Sequence, residues 1–62
     1  MSKSSQLVDI SGQVVHETVK AWFFFDGLRT VWIPKSQGEV YHEGKVTTLT
    51  IPEWLAKEKE LI

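Results

Sequence analysis

The stretch KAWFFFDGLRTVWIPKS, residues 20–36, constrains this chain more than any other. It holds all three Phe and two of the three Trp. Val19 to Phe25 and Val31 to Ile33 are β-branched and aromatic runs, the composition that suits a pleated surface. Asp26-Gly27 lies between them, and Asp-Gly is a strong hairpin signal because Gly tolerates φ > 0. Pro34 removes a backbone donor and is expected to end or edge the second strand.

Trp22-Phe23-Phe24-Phe25 does not alternate with polar residues, as a strand with one solvated face should. Each buried aromatic removes ~150–250 Å² from water, so both faces of this hairpin call for a cover. The candidates are the C-terminal helix, a second copy of the chain, or a ligand.

Register decides which side chains share a face, because a slip of one residue exchanges the two faces. A two-residue loop at Asp26-Gly27 pairs Phe25 with Leu28 and puts Trp32 on the face of Phe23 and Phe25. A three-residue loop pairs Phe25 with Arg29, Phe23 with Val31 and Trp22 with Trp32. The odd-length loop sorts the residues better and is the expectation. It collects Lys20, Trp22, Phe24, Thr30 and Trp32 on one face, and Val19, Ala21, Phe23, Phe25, Val31 and Ile33 on the other.

Elsewhere the chain is simpler. Residues 1–6 are polar and Ser-rich and are expected to be disordered. Leu7 to Ile10 is a short apolar run, and Ser11-Gly12 marks a bend or bulge. Val14 to Glu17 resumes strand character and is expected to run on into Val19–Phe25 as one long bent strand. Residues 39–51 read as a second hairpin turning at Glu43-Gly44. The period then changes. Thr50 and Glu53 have capping-box spacing, and Pro52 fits a first helical turn. A short helix over 52–60 is expected to dock through Trp54 and Leu55, since so short a helix is unstable alone. The fold class is therefore α+β, mainly β. It has four to five antiparallel strands over 7–51, as a small barrel or an open sheet, with one short C-terminal helix in a single domain of 62 residues.

A chain of this length buries only about 60% of its unfolded surface, so its few large aromatics or oligomerisation must compensate. It has no Cys, which removes disulfides and thiolate metal sites. The net charge of −1 gives no basic footprint for nonspecific DNA binding. No segment approaches the ~20 apolar residues of a membrane span, and the N-terminal residues lack a signal-peptide core. A cytoplasmic location is the expectation.

Catalytic material is sparse. His16-Glu17 and His42-Glu43 are adjacent pairs on predicted strands, where neighbours point to opposite faces, so neither makes an acid–base dyad. Two His without ligand spacing are weak evidence for a metal, and solvated edge histidines are the preferred reading. The glycines are isolated, so no phosphate-cradling loop is present. No enzyme activity, cofactor or metal is expected. The constellation that stands out is Trp22, Phe24 and Trp32, rimmed by Lys20, Arg29 and Lys35. Aromatics in small domains are usually core, so the first reading is that Trp54 and Leu55 of the helix cover this face. Where it stays open, the enrichment of Trp and Arg at interface hot spots makes it the expected site for a protein partner or a second copy of the chain. The alternative is a stacking platform for single-stranded nucleic acid, with phosphates met by Lys20, Arg29, Lys35 and Lys45.

The segments VWIPKSQ (31–37) and IPEWLAKEKELI (51–62) together resemble a group of small bacterial and phage or mobile-element proteins. Those carry a strand ending in V-W-I/L-P-K-S and a terminal P-E-W-L-A helix. The resemblance covers roughly the C-terminal two-thirds of the chain. It implies a small β domain with a terminal helix and implies no activity. In a phage setting, two roles are common for domains of this size: inhibition of a host or defence protein, CRISPR components included, and service in DNA replication or recombination.

Overall fold

The computed structural model describes residues 6–62. Of the segment expected to be disordered, residues 1–5 lie outside the described residues, and Gln6 is tied down: its carbonyl accepts the Glu53 N–H at 2.9 Å. Five strands follow: β1 (Leu7–Glu17), β2 (Ala21–Phe25), β3 (Thr30–Pro34), β4 (Glu39–Glu43) and β5 (Val46–Pro52). A 3-10 turn at Lys35–Gln37 separates β3 from β4, and helix α1 (Glu53–Glu58) closes the chain. The strands form one antiparallel sheet in the order β3-β2-β1-β5-β4. β3 and β4 are its two edges, so the sheet is open rather than a closed barrel.

β1 is the spine. Its first half, Leu7 to Gly12, pairs with β5, and its second half, Gln13 to Glu17, pairs with β2. The strand runs straight through Ser11-Gly12, where a bend was expected, and stops at Glu17 instead of continuing into 19–25. The irregularity falls at Val15, where the register against β2 shifts between Val14 and His16. Thr18 then makes the turn: its hydroxyl accepts the Ala21 N–H at 3.0 Å and its own N–H donates to the Ala21 carbonyl at 2.8 Å. Side-chain bonding of this kind offers the backbone an alternative to strand continuation.

The hairpin of β2 and β3 has the opposite parity to the expected one. Phe25 pairs with Thr30, Phe23 with Trp32 and Trp22 with Ile33. The cause is local. One Asp26 carboxylate oxygen accepts both the Leu28 and Arg29 N–H groups at 2.9 Å. The Asp26 N–H donates to the Arg29 carbonyl at 3.1 Å, so Asp26 and Arg29 close the ladder and the turn itself is Gly27-Leu28. Gly27 takes φ +105, which its missing Cβ permits. The two backbone hydrogen bonds hold the Asp26 carboxyl below its ordinary 3.8. A lowered folded-state pKa contributes stability that is present above the ordinary value and is lost as pH falls through the folded one. Asp26→Asn is therefore expected to flatten the acid limb of the stability–pH curve, measured by urea denaturation from pH 7 down to about pH 2.

One face of the sheet carries the core. Phe24, Ile33, Leu49, Ile51, Leu55 and Ala56 are buried. Val8, Ile10, Val14, Trp22, Val31, Val40 and Leu61 pack around them. The alternation in β1 and β5 follows from this one-sided burial, with Val8, Ile10 and Val14 inward opposite Ile51, Leu49 and Phe24. α1 lies on this inner face. It docks through Leu55 and Ala56, and the expected anchor Trp54 stays 51% exposed. The expected capping box is also absent. β5 extends to Pro52, which is the N-cap without a side-chain cap, and the Thr50 hydroxyl bonds to Asp9 at 2.7 Å instead. Sheet pairing with β1 has captured Thr50 before the helix can use it. At the other end the helix stops in a Schellman arrangement. Leu61 N–H reaches the Ala56 carbonyl and Glu60 N–H the Lys57 carbonyl, with Glu60 at φ 62.

Candidate binding surface

The hairpin parity redistributes the residues singled out from the sequence. Phe24 is fully buried in the core. Trp22 lies on the same inner face, half-buried against that core. Trp32 projects from the opposite, outer face and is 43% exposed. The expected trio Trp22, Phe24 and Trp32 is thus split between two faces by the even loop.

The outer face brings together a different set. Phe23 sits directly opposite Trp32 and stacks on it, ring centroids 4.5 Å apart and planes 22° apart. His16, opposite Phe23 on β1, meets Trp32 edge-on at 6.1 Å and 80°. A row of His16, Phe23 and Trp32 therefore crosses β1, β2 and β3, on the side of the sheet away from α1. Offset stacking of this kind adds ~0.5–1.5 kcal/mol beyond area burial, which favours the stacked arrangement of the two rings. Phe23 and His16 were missed at the sequence level. The signal for Phe23 was present in the even-loop option, and the pairing that selects His16 depends on the bulge at Val15.

The cations are placed elsewhere. Arg29 donates to Glu60 at 2.6 Å. Lys35 pairs with Glu17 at 2.5 Å and lies 5.8 Å from the centroid of the Trp22 ring, on the inner side. Lys20 is exposed in the turn after Thr18, its carbonyl accepting the Lys35 N–H at 2.8 Å. Two of the basic groups expected to rim the aromatic surface are thus engaged with carboxylates, and Lys35 belongs to the Trp22 side.

His16 and His42 are not brought together. His16 is on the outer face opposite Phe23. His42 is on the edge strand β4, with Nδ1 3.1 Å from the Thr47 hydroxyl. Among the described residues, no three His, Cys, Asp or Glu side chains gather as a metal site. No helix among them is long and apolar enough to cross a membrane. The chain matches no protein-family model, no curated protein and no solved structure.

Proposed function

We propose that this chain is a non-enzymatic protein-binding module whose contact surface is the outer face of β2 and β3, centred on Phe23 and Trp32. The observation that carries the reading is the Phe23–Trp32 stack left open on the side opposite the helix. A half-exposed Trp stacked on a second ring is the kind of anchor found among interface hot spots. The surroundings favour a protein over single-stranded nucleic acid. A stacking platform for nucleic acid needs basic groups tracking the backbone beside it. Here Arg29 and Lys35 are held by Glu60 and Glu17. On the resemblance of its 31–37 and 51–62 segments, we read the partner as a second copy of the chain or a host or defence protein met in the cytoplasm, CRISPR components included.

Trp32→Ala is expected to weaken partner binding by at least ~2 kcal/mol, about thirtyfold in Kd, while the domain stays folded. The check is affinity capture with tagged wild type and variant side by side, with circular dichroism melts of both. A folded variant that captures as well as wild type would remove this surface from consideration. A salt-reversible quench of Trp fluorescence by an oligonucleotide would favour the nucleic-acid alternative.

A further inference from the structure

We infer that two copies of this chain pair edge to edge through β3, antiparallel about a twofold axis at Trp32. The inference rests on the protein-binding reading and names one partner for it.

The hydrogen bonds that bracket the hairpin fix which way the β3 backbone points. Lys35 N–H bonds to the Lys20 carbonyl and Asp26 N–H to the Arg29 carbonyl. Bonded pairs alternate along an antiparallel ladder, so Trp22–Ile33 and Phe24–Val31 are the bonded pairs within the hairpin. The N–H and C=O groups of Thr30 and Trp32 therefore point away from β2, into the open edge. Among the described residues none takes them.

The two edges of the sheet are not equivalent. β4 reads EVYHE, with Glu39 and Glu43 at its ends, and charge on an edge strand is a common guard against unwanted pairing. β3 reads TVWIP and has no charged residue. Its one guard is Pro34, which lacks an N–H but keeps its carbonyl.

That pattern is self-complementary in one register. With Trp32 opposite Trp32 of the second copy, each exchanges both backbone bonds with the other. Thr30 then falls opposite Pro34 of the second copy, and its N–H meets the one backbone group that proline still offers. Opposed residues share a face, so the two Phe23–Trp32 stacks join into one continuous aromatic row. The same register sets Arg29 against Lys35 of the second copy. Each brings its own carboxylate, Glu60 and Glu17, so the four charges sum to zero and can exchange partners. The contact is short and falls below the ~1,200 Å² of a standard interface, so the dimer is weak and concentration-dependent.

The test joins sedimentation equilibrium with amide exchange by NMR, on the full chain from about 10 μM to about 1 mM, a range that spans weak association. The expected result is a mass rising toward twice the monomer. The Thr30 and Trp32 amides should gain several-fold protection over that range, while the Val40 and His42 amides of β4 do not change. Chain made by synthesis with an N-methyl group on Trp32 keeps the aromatic face and loses the edge donor. It is expected to melt as wild type does and to remain monomeric. A monomer at every concentration overturns the inference, as does a dimer whose Thr30 and Trp32 amides stay unprotected. Capture of a foreign partner through the Trp32 side chain is measured separately, so a monomeric chain that still captures overturns the edge pairing alone.

Discussion

Phe24→Ala is expected to leave the domain largely unfolded at 37 °C. Phe24 is fully buried and lies in the cluster with Ile33, Leu49, Ile51 and the helix residues Leu55 and Ala56. Truncating a buried Phe costs ~3–5 kcal/mol, from lost transfer energy and the cavity left behind. A chain this small sits near the lower end of the usual range, about 5 kcal/mol in total, so the loss is comparable to the whole stability. Trp32→Ala on the same hairpin is the control, since its ring is already half in water. Thermal melts of the two should differ widely. Similar melts would mean that the assignment of inner and outer faces is inverted.

Gly12→Ala is expected to be the most damaging of the glycine substitutions. A Cβ there would stand 2.2 Å from the Phe25 carbonyl oxygen and 2.7 Å from the Phe24 ring. A ring can shift by a few tenths of an ångström, but the carbonyl belongs to β2 and can move only if the strand moves with it. Gly12 does not have positive φ, so the effect is purely one of space. Gly27→Ala makes the comparison: nothing lies within 4 Å of its new Cβ, but φ is +105. The conformational penalty at Gly27 is ~1–2 kcal/mol. The clash at Gly12 is expected to exceed it, with the urea midpoint of Gly12→Ala falling below that of Gly27→Ala. The opposite order would mean that β1 and β2 part at this point without much cost.

Much of the architecture was legible from residue types. The aromatic hairpin, the second hairpin turning at Gly44 and the short terminal helix follow from β-branched runs, turn residues and the change of period. Two things were not legible, for related reasons. Asp-Gly announced a turn, but the Asp26 side chain bonds two residues ahead and shifts the turn by one position, which reverses every face assignment that follows. Thr50 and Trp54 carried helix signals with a local logic, yet the pairing of β5 with β1 kept Thr50 in the sheet. The helix then turned Leu55 and Ala56 inward and left Trp54 in water. The partner surface expected from the sequence inherited the first error. Phe23 and Trp32 are neighbours because of a hydrogen bond at residue 26, which composition does not encode.

The division of β1 between two partners also bears on the order in which the molecule comes into being. Each outer hairpin closes over a few residues and can form by itself on a microsecond scale. β1 is different, because its first half waits for β5, which lies some forty residues further along the chain. Closing so long a loop is entropically slow, and it comes before the long-range contacts can repay it. During synthesis, Gly12 has no β5 partner until Thr47 has emerged, and Leu7 none until Pro52 has, so the first half of β1 stays unpaired while β2, β3 and β4 are made. Until then the first half of β1 presents unpaired backbone groups, the kind of edge through which incompletely folded chains associate.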